Sequence, residues 1–128
     1  MKAFIVAALI FAGTSAFADT QVLSCKVPNS TSVSLNIALG DDQSVDFVTV
    51  VLVEKAKQVL FFSQMDKGTV QDQIDAGYLN LLALTDKSAQ VDGVIVNTGF
   101  LGLSKDTDGS FGGFLAAQGN IYPLTCTK

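Results

Sequence analysis

Residues 31–39 read TSVSLNIAL, and residues 45–65 read VDFVTVVLVEKAKQVLFFSQM. In the first stretch Val33, Leu35, Ile37 and Leu39 fall on one face, and Ser32, Ser34, Asn36 and Ala38 on the other. A period of two is the signature of a half-buried β-strand. In the second stretch valine dominates, and β-branched side chains resist helix and suit a pleated surface. Over 45–54 the alternation fades, because Val48, Val50 and Leu52 oppose Phe47, Val51 and Val53. With both faces apolar, this strand is expected to be covered on both sides. Residues 58–65 repeat that character, with a turn at Glu54-Lys55-Ala56-Lys57 between the two strands.

The same reading extends outward in both directions. Residues 21–27, QVLSCKV, form a plausible strand ended by the turn cluster Pro28-Asn29-Ser30. Gly40 to Ser44 reads as a loop. Residues 66–77, DKGTVQDQIDAG, are a polar interruption that fits one short helical turn near 69–76. Thr69 would cap it, Gly77 would end it, and Val70 and Ile74 would share a face. Strand character resumes at 78–85, YLNLLALT, and at 91–104, where Gly93, Gly99 and Gly102 break the run. Asp108-Gly109 centres a hairpin turn at 105–110. Residues 111–118 and 121–126 are the last two strands, joined by Gly119-Asn120. Gly112 and Gly113, between two phenylalanines, would allow a sharp bend of the sheet. Pro123 cannot donate to a ladder, which places it at an edge or a bulge.

The sum is an all-β chain of about eight antiparallel strands with short connections, a small barrel or a sandwich. Two cysteines tip the reading towards a barrel, although the strands they join could lie side by side or face each other across a core. Cys25 and Cys126 lie near opposite ends of the chain. A disulfide between them requires Cα atoms within about 7 Å. Neighbouring first and last strands are what an up-and-down barrel provides.

The first 18 residues, MKAFIVAALIFAGTSAFA, have a basic start, a short apolar run and small residues before Ala18. That is the layout of a cleaved signal peptide, with processing between Ala18 and Asp19. Residues 19–128 are then a single secreted β domain in the periplasm or outside the cell. Its length of 110 residues supports one compact core. Export also favours the disulfide. A lipid anchor on Cys25 is disfavoured, because Asp19, Thr20 and Gln21 interrupt the apolar stretch before it. No transmembrane span is expected in the mature chain, since an outer-membrane barrel needs strands of about 9–11 residues plus loops.

Composition removes several chemistries. The chain has no His, no Trp and no Arg, a net charge of −4, and Glu54 as its one glutamate. Without His the usual neutral-pH general base and the Ser-His-Asp triad are missing. Without Arg an acidic chain is a poor partner for nucleic acid. Asp41-Asp42 and Asp106-Thr107-Asp108-Gly109 sit in turns, where aspartate stabilises local backbone more readily than it catalyses or binds calcium. No metal and no cofactor are expected.

What remains is binding. The first expectation is a non-catalytic exported barrel that holds a small apolar or amphipathic ligand inside. Its lining would come from Phe47, Phe61, Tyr78, Phe100, Phe114 and Tyr122, with 66–77 as a lid. The alternative is a protein-interaction module, such as an inhibitor of an envelope or foreign hydrolase, or an envelope assembly factor. It would work through loop 40–44, 66–77 or 105–110, or through an exposed strand edge. Phe61-Phe62 bears on both readings, because neighbours in a strand face opposite ways and one of them must point out.

Overall fold

A computed structural model describes residues 19–86, 90–95 and 98–128. The expected signal segment, with Ala18, lies outside the described residues, and Asp19 is the first of them. The strands are β1 (Thr20–Lys26), β2 (Val33–Leu39), β3 (Val45–Glu54), β4 (Lys57–Asp66), β5 (Tyr78–Leu84), β6 (Gln90–Val91), β7 (Val94–Ile95), β8 (Gly99–Lys105), β9 (Phe111–Ala117) and β10 (Asn120–Thr127). One helix, α1 (Thr69–Asp75), joins β4 to β5.

Eight of these strands form one antiparallel sheet in the order β4-β3-β2-β1-β10-β9-β8-β5. The sheet curls until its two ends meet, among the described residues, at one bridge, Phe62 to Thr85, so the molecule is a nearly closed up-and-down barrel. The strands β6 and β7 are a separate small hairpin turned at Asp92-Gly93, with φ of 50° and 78°. The glycine at 93 therefore marks this turn rather than a defect within a longer strand.

The hydrophobic pattern sets the register. Leu35 and Ile37 of β2, Val48, Val50 and Leu52 of β3, and Phe61 of β4 all point inward and are buried. Leu79, Leu81 and Leu84 of β5, Leu101 and Leu103 of β8, and Leu115 of β9 complete the ring. Because a one-residue slip would turn every one of these outward, burial fixes the pairing. The β3–β4 pair is continuous over ten residue pairs. Its two-residue turn holds Lys55 and Ala56 at φ 52° and 65° without a glycine. Left-handed backbone costs non-glycine residues roughly 1–2 kcal/mol each, which the long ladder offsets.

The expectation that β3 is covered on both faces needs correction. Its inner face is core, but Phe47, Val51 and Val53 are half-buried residues of the outer wall. Strand β3 simply carries apolar side chains outward, shielded in part by neighbours on the same surface. Phe61 and Phe62 do diverge, Phe61 into the core and Phe62 onto that wall. Phe111 and Phe114 diverge in the same way.

Cys25 and Cys126 face each other in register between β1 and β10, with Cα atoms 4.0 Å apart, and are joined by a disulfide inside the core. The Cys25 sulfur is therefore committed to this bond. The bond reinforces a short junction, since β1 and β10 pair over three residues only. Pro123 lies in β10 before that pairing begins, where its missing N–H breaks no bond to β1.

Candidate binding seam in the barrel wall

The weakest line in the wall runs between β4 and β5. Elsewhere neighbouring strands share ladders or the disulfide. Here Phe62 and Thr85 exchange one reciprocal pair of main-chain hydrogen bonds, both 2.9 Å. Below the bridge the strands part, and β5 bulges between Leu81 and Leu84.

Helix α1 fills the lower part of the parting. Val70 and Ile74 turn into the core, as their spacing predicts. The cap differs from expectation. The N-cap residue is Gly68, at φ 92°, and makes no side-chain cap bond. The Thr69 hydroxyl instead donates to the Asp66 carbonyl at 2.7 Å. A distant residue does the capping. The buried carboxylate of Asp46, on β3, accepts the Val70 N–H at 2.9 Å. Lys67 stands 3.9 Å from the same carboxylate and donates to the Asp42 carbonyl at 2.6 Å. Gly77 ends the helix at φ 92°, as expected. On the β5 side, the Gln73 carboxamide accepts the Asn80 N–H at 2.7 Å.

Between helix and bridge an open groove of about 240 Å³ remains, lined by Phe47, Phe62, Ser63, Gln64, Ala83 and Thr85. Phe47 and Phe62 stack at 5.7 Å between ring centroids and make its apolar wall. Ser63 lies at its floor. It occupies an inward position between Phe61 and Met65, is 9 % exposed, and its hydroxyl has no hydrogen-bond partner among the described residues. No charged side chain lines the groove.

The six aromatic residues expected to line an internal cavity do not converge. Phe61 and Tyr122 point into the core. Phe47 lies outside beside Phe62. Phe100 and Phe114 pair on the outer wall, 5.6 Å apart, and Tyr78 is exposed at the start of β5. The interior positions are held by packed leucine, valine and phenylalanine side chains. Tyr122 donates from its hydroxyl to the Glu54 carboxylate at 3.0 Å, and Asn120 donates to the same hydroxyl at 3.2 Å. Burial, offset in part by the Asn120 bond, raises the phenol above its ordinary 10.0. The segment 66–77 is built into the wall and end of the barrel through Val70 and Ile74.

The antiparallel topology gathers loop 40–44, the 66–77 segment and loop 105–110 at one end of the barrel. Lys67 ties the first two together, and the Lys105 N–H donates to the Gly77 carbonyl at 2.9 Å. That end carries Asp41, Asp42, Asp66, Asp72, Asp75, Asp106 and Asp108. Asp42 accepts from the N–H and hydroxyl of Ser44, both at 2.8 Å, and Asp108 does the same with Ser110. These bonds hold both carboxyls below the usual 3.8. Among the described residues no group of three or more potential ligands is placed to hold a metal ion.

Ser63, Gln64, Ala83 and Thr85 were not legible as site residues. One signal was present: a lone hydroxyl at Ser63 in the inward series Val59, Phe61, Ser63, Met65. Among the described residues no helix is long and apolar enough to cross a membrane. Comparison with protein-family models, with curated proteins and with solved structures finds no match to this chain.

Proposed function

We propose that this protein is a non-catalytic, exported barrel that binds another protein through its outer wall, as an inhibitor of a hydrolase or an assembly factor of the envelope would. The observation that carries the reading is the exposed apolar wall beside the 66–77 segment. Leu82, 71 % exposed, and Leu60 flank the seam, and Phe62 and Phe47 line it. Apolar surface gathered beside a structured loop marks an interaction site more often than chance exposure does. The opposite sector of the wall, with Ser24, Lys26, Ser34 and Asn36 on β1 and β2, is polar. The acidic end next to the seam would draw a basic partner and orient it during encounter. The disulfide is consistent with an oxidising, exported environment.

A small apolar ligand remains the second reading. The seam groove favours it over an internal site, because the core positions are occupied by side chains.

Photo-crosslinking in the producing cells tests the proposal. A photoreactive residue at Leu82 is expected to yield protein adducts, and one at Ser34 none. Adducts at Ser34 alone, or at neither position, would overturn it. A bound small molecule in the native mass spectrum, without adducts, would install the second reading.

A further inference from the structure

Several main-chain groups around the groove in the β4–β5 seam have partners. At the upper level Phe62 and Thr85 satisfy each other. At the lower level the Asp66 carbonyl accepts from Thr69, and the Asn80 N–H is taken by Gln73. Gln64 lies between these levels. Strand β4 pairs with β3 without a register shift, so Gln64 turns its N–H and carbonyl to the same side as Phe62. No described residue meets them there. The Ser63 hydroxyl below them is buried and also without a partner among the described residues. The N–H and carbonyl of Gln64 and the hydroxyl of Ser63 thus face one small apolar groove without a partner among the described residues.

We infer that the seam is a strand-addition site for an extended polypeptide segment of a basic partner protein. This deepens the wall-binding function proposed above and rests on it. Main-chain N–H and carbonyl groups of the segment pair with Gln64, which an apolar small molecule has no groups to do. One apolar side chain enters the groove against Phe47 and Phe62. The volume of about 240 Å³ lies below the range of about 300–1,000 Å³ usual for small-molecule pockets and suits a single side chain. Ser63 supplies a hydrogen bond at the floor. Charge selects the flanks. The groove is neutral, but Asp66 follows Gln64 by two residues on the outer wall, and Asp72 and Asp75 lie on the adjoining helix. A segment running along β4 toward the helix is therefore favoured when lysine or arginine follows its apolar residue by two to four positions.

Selection from a phage-displayed library of random twelve-residue peptides on the disulfide-bonded protein (residues 19–128) tests this. Enriched peptides are expected to pair an apolar residue with a nearby basic one. They should bind at least tenfold more weakly to Gln64→Pro, which removes the seam-facing N–H while sparing the ladder to β3. A similar loss is expected for Ser63→Val, which removes the hydroxyl. In a segment parallel to β4 the donor to the Gln64 carbonyl is the N–H of a residue next to the apolar one, so N-methylation of the residue that follows the apolar one should also abolish binding, and this reads the same contact without altering the protein. Equal binding by the variants and by the N-methylated peptide overturns strand addition. So does a selection that enriches nothing. Wall crosslinks at Leu82 that persist in either case would leave the interaction function standing and remove only this mode of docking.

Discussion

Asp46 is the residue on which the closure of this barrel turns, and its replacement gives a graded test. The carboxylate is buried and accepts the Val70 N–H at 2.9 Å, while Lys67, half exposed, stands at 3.9 Å. A hydrogen bond to a charged acceptor contributes about 1.5–3 kcal/mol, and an exposed ion pair under about 1 kcal/mol. Asp46→Ala loses the bond and leaves a helix N–H unpaired, so we expect about 2–3 kcal/mol of destabilisation. At about 4 °C per kcal/mol for a domain of this size, Tm falls by about 8–12 °C. Asp46→Asn keeps an acceptor and should lose about 1 kcal/mol. Lys67→Met should lose less still. Urea unfolding of the oxidised protein, followed by far-ultraviolet circular dichroism, gives all three values. Equal losses in the alanine and asparagine variants would refute the cap. A loss in Lys67→Met as large as in Asp46→Ala would show that ion pairing, not capping, fixes the helix.

Four further outcomes are expected. Reducing Cys25–Cys126 opens a loop of 101 residues and should cost up to about 4–5 kcal/mol on chain-entropy grounds, read as the difference in urea midpoint with and without reductant. Tyr122 remains protonated in the fold above the pH at which it ionises in the unfolded chain. Its stabilising effect is therefore complete below pH 10.0 and is lost as pH rises through its higher folded value. Stability curves of Tyr122→Phe should lack that part of the alkaline decline. Asp42 and Asp108 have the opposite sign, contributing above pH 3.8 and losing that contribution as pH falls through their lowered values. Carboxyl-carbon NMR titration should find both midpoints below 3.8. Gly113→Ala should be strongly destabilising, because a Cβ there would overlap the Gly102 carbonyl oxygen and lie 3.0 Å from the Leu103 Cα. Gly112→Ala meets the end of the Asp106 side chain at 3.1 Å and the Leu124 carbonyl oxygen at 3.8 Å, and should be mild by the same urea assay.

The sequence by itself determined the strands and their faces. Alternation at Val33 to Leu39, the valine run of β3 and the turn residues at Gly77 and Gly109 are local signals, and local sterics suffice to read them. It also paired Cys25 with Cys126 and so brought β1 and β10 together. Several features depended on residues far apart in the chain. The helix is capped by Asp46 from β3 rather than by Thr69 beside it, a contact that spans 24 residues. Phe47, read as a cavity residue, lies outside because register is set by the inward series Asp46, Val48, Val50 and Leu52. Tertiary structure decided the seam. How far the sheet curls sets where β4 and β5 part, and beyond the lone inward hydroxyl of Ser63 no short-range pattern marks Gln64 or Ser63 as without partners among the described residues. A groove made where two strands fail to meet is a property of closure, and closure belongs to the whole barrel.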